Sequence, residues 1–256
     1  MPEQRFAARG TIPQLGEGWL PVSPTQTVVS LHLVRVSQVA ALVPPGLQIV
    51  RVAPGFTFAS TLLSYYGPES TLEYSEFVLA PALVRCGPAR GFWVSHLWVD
   101  SADSVTGGRR MGLPKELARF DWRVAGRTGR CTLTSPAGAA LVGVSWTSPR
   151  LSLRATLAGG TLSALDDGTV VHFASTLSAR WSLARVAVEL AASVSPAPLL
   201  TGRARVAVVS GPMRGAMGIA LREVGRLNPS AARQPSVMPP ASFQPRQPPA
   251  IDETLV

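Results

Sequence analysis

Lysine is nearly missing from this chain of 256 residues: of its 24 basic side chains only Lys115 is lysine, and the rest are arginine. That scarcity excludes a Walker-type phosphate loop, which needs a lysine between glycine and Ser or Thr, because Lys115 stands between Pro114 and Glu116. Cysteine is scarce as well. Cys86 and Cys131 form no CxxC pair, so neither a zinc ribbon nor a disulfide framework is expected, and both read as buried or idle thiols in a reducing compartment. The three histidines, His32, His96 and His172, share no HExxH spacing, which removes the common zinc-hydrolase helix; no resident metal or cofactor is expected. Charged residues are 15% of the chain against 46% hydrophobic, too little charge for a disordered protein and ample apolar material for a core. Long apolar runs are absent too. The most apolar stretch, Trp181 to Leu200, is interrupted by Arg185, Glu189 and two prolines, so no membrane span is expected. The opening MPEQRFAARGTIPQ lacks the apolar centre of a secretory signal, and a cytoplasmic protein is expected. The net charge of +9 comes from arginines scattered along the chain, Arg109-Arg110 being the only doublet, with few aromatics between them. Nucleic-acid binding needs a basic stripe with stacking rings, so no nucleic-acid partner is expected.

Turn formers are plentiful, with 23 glycines and 23 prolines. Between them lie short segments of β-branched and aromatic residues: Thr27–Val36, Gln48–Val52, Phe56–Tyr66, Tyr74–Ala82, Phe120–Val124, Cys131–Ser135, Ala140–Thr147, Val170–Leu177 and Arg203–Ser210. The run Gly91-FWVSHLWVD is apolar on both faces and reads as one strand buried on both sides. Two helices are predicted. One is brief, capped by Ser37 and stopped by Pro44-Pro45. The other spans about Met213 to Leu227, where Met213, Met217, Ala220, Leu221 and Val224 share a helical face. This pattern predicts an α+β, β-dominated fold: a mixed sheet or closed barrel with a few helices. The stretch 228–256 is rich in Pro, Ser, Gln and Ala without an apolar period, and reads as a disordered tail on a single domain spanning 1–227.

In a chain that otherwise uses arginine, one lysine invites a chemical reason. Arginine cannot lose its proton in a protein, whereas a neutral lysine amine attacks ketones to give a Schiff base. Lys115 sits in Gly108-RRMGLPKELARF, flanked by Leu113 and Leu117, which are candidate dry walls that would disfavour the charged amine. Arg109 and Arg110 are candidates to bind a substrate carboxylate. Upstream, Tyr74, Glu76 and Val78 share one face of a predicted strand, which makes Glu76 a candidate acid/base partner and Tyr74 a candidate pocket residue. His96, Met213 and Met217 read as core residues.

The stretch from about Tyr65 to Phe120 resembles the acetoacetate decarboxylase family, through Tyr66-GP, the Leu72-EYSE segment ending at Glu76, and Gly108-RRMGLPKELA. The earlier Val36-SQVAALVPPGL also resembles that family's helix followed by a proline turn. The resemblance implies a β-rich, cone-like barrel in which Lys115 is the Schiff-base lysine and Glu76 the pocket glutamate. It implies a lyase that decarboxylates a β-keto or related 2-oxo acid through an imine, without a cofactor, in a homo-oligomer. Two alternatives stay open: an aldolase or dehydratase using the same lysine, and a non-catalytic barrel that binds a small molecule. The chain departs from the family pattern in three places. Glu116 stands where the family has a second lysine, Arg110 stands where it has a glutamate, and its N-terminal arginine has no clear match among His32, Leu33 and Arg35.

Overall fold

Along Val28–Arg35 buried and half-buried side chains alternate, as a strand between two different layers requires. The computed structural model describes residues 4–194, 200 and 204–228. Its large mixed sheet runs from one edge as Gln48–Ile49, Ala82–Cys86, Ala89–Trp93, Leu153–Ala164, Thr169–Leu183 and Val206–Arg226. It continues through Val28–Arg35, Phe56–Tyr66, Tyr74–Ala80 and His96–Val99 to Lys115–Leu117, with the short Val22–Ser23 paired alongside Val206–Arg226. A second, four-stranded antiparallel sheet is made of Arg119–Ala125, Thr128–Thr134, Ala140–Thr147 and Arg185–Leu190. Val28, Val34, Leu63 and Phe77 of the large sheet join Leu133, Val144 and Trp146 of the small one in a single buried cluster. The alternate residues Val29, Leu62, Tyr66 and Tyr74 enter a second cluster with Trp19, Met111, Leu113 and Met217. Each large apolar side chain fully buried in this way contributes about 1.5–3 kcal/mol.

The feature that positions the site lies at one edge of the large sheet. His96–Val99 and Lys115–Leu117 run parallel, with Leu97 opposite Lys115. Parallel neighbours need a crossover, and here it carries the nine-residue helix Ala102–Arg110. Lys115 therefore returns to the sheet directly beside the helix it has just left.

Several expectations need correction. The large sheet has two ends, at Gln48–Ile49 and Lys115–Leu117, so the mixed sheet forms and not the closed barrel. The helix expected at Met213 to Leu227 is instead part of the strand Val206–Arg226, paired with Thr169–Leu183. That ladder shifts register four times, and each bulge inserts a residue that breaks simple alternation. Apolar residues then recur at intervals of three and four, which imitates a helix. The first helix, Val36–Val39, has Arg35 and not Ser37 at its N-cap, where the Arg35 N–H donates to Gln38 Oε1 at 3.2 Å. The run from Gly91 divides at Val94 and Ser95 into the strands Ala89–Trp93 and His96–Val99. The helix Ala102–Arg110 has no counterpart among the predicted elements. The expected tail lies, apart from Asn228, outside the described residues. Among the described residues no helix is long and apolar enough to cross a membrane, and Cys86 and Cys131 are both free thiols.

Burial gives the histidines a consequence for pH. His96 stacks on Trp98 with ring centres 5.3 Å apart, and its Nδ1 lies 2.9 Å from Ser95 Oγ. Burial pushes its pKa down to about 4. Burial also lowers those of His32 and His172, the latter helped by the positive charge of Arg222. The unfolded chain takes up protons on these rings near pH 6.5, while the folded chain resists until lower pH. Their contribution to stability is therefore complete above pH 6.5 and is lost as the pH falls towards about 4. Unfolding free energy from urea titration should drop by about 1–2 kcal/mol between pH 7 and pH 5, and less in His96→Phe. An unchanged slope in that variant would show that His96 takes up its proton equally readily in the folded and the unfolded chain.

Candidate active site

The turn after the helix Ala102–Arg110 delivers Lys115. The N–H groups of Met111 and Leu113 both donate to Gly108 O at 3.0 Å, and Gly112 between them takes φ +70°. A side chain at Gly112 would be strained, and its Cβ would lie 2.4 Å from Ala164 O. The chain folds back so tightly that the Lys115 stem lies against Gly108: a Cβ there would sit 2.3 Å from Lys115 Cδ. Lys115 is 1% exposed and Glu76 3%.

Lys115 Nζ donates to Glu76 Oε2 at 2.9 Å, to Ser104 Oγ at 2.9 Å and to Tyr74 OH at 3.4 Å. The other Glu76 oxygen, Oε1, accepts from Tyr66 OH at 3.1 Å. The ammonium also lies 4.7 Å from the Tyr74 ring centre and 5.5 Å from that of Trp19. Tyr66 and Tyr74 meet edge to face with centres 5.0 Å apart. Burial first, and then the negative charge of Glu76, hold both phenol pKa values well above the ordinary 10. Both tyrosines are therefore neutral donors across the physiological range.

Above this cluster opens a narrow cleft walled by Pro13, Trp19, Leu72 and Tyr74, with Ser104, Gly107, Gly108 and Lys115 from the crossover. Ser104 is set in the first turn of the helix, where its N–H donates to the Ser101 cap at 3.3 Å. The dry walls thus come from Trp19, Leu72 and Pro13. Leu113 is buried in the apolar cluster below, and Leu117 is half-buried in the edge strand.

The structure brings together Lys115, Glu76 and Tyr74. Arg109 and Arg110 lie elsewhere, on the exposed side of the helix. Arg109 Nε donates to Lys115 O at 3.2 Å and Arg110 Nη1 to Pro13 O at 3.4 Å, so both brace backbone around the cleft. The sequence reading gave no site role to Trp19, Tyr66, Ser104 or Gly108, although Tyr66 and Gly108 stand in the segments that carry the family resemblance. For Ser104 a signal existed in Ser101-Ala-Asp-Ser104, where a serine cap and Asp103 mark a helix start. For Gly108 it was the Gly107-Gly108 pair, a sign of close approach. Trp19 carried none. Among the described residues no three of His, Cys, Asp and Glu gather as a metal site would need.

The family model of acetoacetate decarboxylase matches residues 12–211. Protein NEOXANTHIN-DEFICIENT 1 of Oryza sativa subsp. japonica is 30% identical over 119 residues, 46% of this chain and 38% of that protein. The chain thus matches well under half the length of that relative. Among solved structures, the acetoacetate decarboxylase of Legionella pneumophila subsp. pneumophila str. Philadelphia 1 superposes with a TM-score of 0.61 at 16% identity, over 88% of this chain and 93% of that one. The enduracididine biosynthesis enzyme MppR gives a TM-score of 0.61 at 14% identity, over 88% and 97%. Identities this low speak for the fold alone.

Proposed function

The chain belongs to the acetoacetate decarboxylase family, and from that premise we propose that it is a lyase acting through an imine on Lys115. The observation that carries the reading is a lysine 1% exposed, held 2.9 Å from a carboxylate at the base of a largely apolar cleft. Lysine buried for stability alone is poorly served there, since an apolar pair of similar volume stabilises as well or better. For chemistry the arrangement is apt. Glu76 Oε2 is placed to take a proton from Nζ, which frees the nitrogen lone pair. That lone pair attacks the ketone carbon, a C–N bond forms, and the carbonyl oxygen takes up the proton that Glu76 received. A second proton passes from the nitrogen to this oxygen, which leaves as water, so that a C=N bond remains and Glu76 is again a carboxylate. The iminium charge then rests beside the Glu76 carboxylate, which Tyr66 holds from its other side.

An iminium draws electrons from a bond on the carbon next to its own. In a β-keto acid that bond runs to the carboxylate: carbon dioxide leaves, an enamine remains, and protonation and hydrolysis return the ketone and Lys115. This is the reaction that the family's name puts first, and an aldol cleavage uses the same imine. A cytoplasmic homo-oligomer working without a cofactor is part of the same proposal.

Borohydride tests it. With a small ketone or keto acid present, it should reduce the imine to a secondary amine on the peptide containing Lys115. The only other primary amine of this chain is its α-amino group, so the adduct has two possible addresses. Lys115→Arg should keep the positive charge and lose both the internal adduct and any carbon dioxide release. If neither ketones nor keto acids label Lys115, the non-catalytic binding reading replaces this one.

A further inference from the structure

Nearly every polar hydrogen around Lys115 is committed. Its three N–H groups go to Glu76, Ser104 and Tyr74, and the Tyr66 hydroxyl goes to Glu76. One donor in the walls is different. Trp19 lines the cleft, is 7% exposed, and its Nε1–H has no partner among the described residues. Its benzo edge is turned towards Gly218, where a Cβ would lie 3.3 Å from Cζ3, so the flank carrying Nε1 faces away from that packing. A buried N–H without an acceptor costs about 1–3 kcal/mol, and such orphans call for a ligand or a water.

Charge narrows what that ligand is. Lys115 and Glu76 cancel, and they still cancel when the ammonium becomes an iminium. A substrate carboxylate would add a second negative charge beside Glu76, behind walls of Trp19, Leu72 and Pro13. Burying it without a cation of its own is unfavourable. An uncharged oxygen meets a single neutral donor without that cost. We propose that the cleft selects an uncharged carbonyl compound with a second oxygen, a hydroxyketone or a dicarbonyl, and that Trp19 Nε1–H donates to that second oxygen. The proposal rests on imine formation at Lys115 and shifts the expected bond cleavage from decarboxylation towards the aldol type. With Nζ 5.5 Å from the Trp19 ring centre and a narrow cleft between them, the molecule is short.

Three ketones of one chain length decide the matter: 4-hydroxybutan-2-one, butan-2-one and acetoacetate. Each is titrated into the full chain with borohydride, and the adduct on the Lys115 peptide is measured by mass, counting carboxylated and decarboxylated forms of the acetoacetate adduct together. The half-saturating concentration should be lowest for 4-hydroxybutan-2-one, about three- to tenfold below butan-2-one, as one neutral hydrogen bond provides. Acetoacetate should require the highest. Trp19→Phe should bring the ratio between 4-hydroxybutan-2-one and butan-2-one to about one, whatever it does to the two values together. If this variant does not fold, the order of the three probes in the wild type still decides. Acetoacetate saturating at or below 4-hydroxybutan-2-one overturns the substrate class and leaves the imine intact. Equal values for the two neutral ketones overturn the role of Trp19. No adduct with any of the three overturns the imine reading itself, and this proposal with it.

Discussion

Glu76→Ala should cost the folded protein about 3–5 kcal/mol, because it leaves the Lys115 ammonium buried without its counter-charge. Lys115 is 1% exposed and its closest charged neighbour is Glu76 Oε2 at 2.9 Å. At 1% exposure little water reaches the ammonium to compensate, and Ser104 and Tyr74 are neutral. The loss lies in the unpaired charge and not in the missing contact, which makes the prediction checkable against a double variant. Glu76→Leu combined with Lys115→Met removes both charges and keeps the volume, so it should recover most of the stability. Urea unfolding of wild type, the single variant and the double variant measures this directly. A loss below about 1 kcal/mol for Glu76→Ala would mean that the ammonium finds water or another carboxylate. Glu76→Gln keeps a hydrogen-bond acceptor without a charge; it should slow imine trapping strongly even where it folds, since the proton acceptor is gone.

This ion pair was the most legible part of the molecule. Lys115 stood out because arginine had replaced every other lysine, and Glu76 because it shares a strand face with Tyr74. A residue type that only chemistry needs, in a chain that avoids it, is visible in one dimension. The residues completing the site were not, because each belongs to it through tertiary placement. Trp19 arrives on a segment whose N–H and C=O pair with Met217 at 3.0 and 2.9 Å, nearly two hundred positions along the chain. Tyr66 is recognisable as a strand residue, but only the pairing of Ser64 with Glu76 and Tyr66 with Tyr74 places its hydroxyl next to the carboxylate. The strands were mostly legible from β-branched and aromatic runs. The exceptions have physical causes: bulges gave Val206–Arg226 a helical spacing, and two adjacent glycines hid the helix Ala102–Arg110.

Gly108→Ala should lower imine trapping at Lys115 by about a hundredfold or more, because the added methyl group occupies the space of the lysine stem. Its Cβ would lie 2.3 Å from Cδ, 2.6 Å from Cε and 2.7 Å from Cγ of Lys115. These are the middle of a buried side chain and not a free end, so the stem has to move by roughly an ångström, and a displacement of about 1 Å at a reacting atom costs on the order of 10²-fold. Helix propensity runs the other way. In a helix interior alanine is favoured over glycine by about 1 kcal/mol, so the same substitution above an empty space would stabilise. The sign of the stability change therefore reports on the lysine. In the wild-type background Gly108→Ala should destabilise by about 1–3 kcal/mol through overpacking. In a Lys115→Ala background, where the stem is gone, it should be neutral or stabilising. The coupling between positions 108 and 115 from this four-variant cycle, measured by urea unfolding, should exceed about 1 kcal/mol. Additive effects would mean that the stem does not pass beneath Gly108. The approach of helix and lysine would then no longer explain why a glycine pair interrupts the helix that carries Ser104.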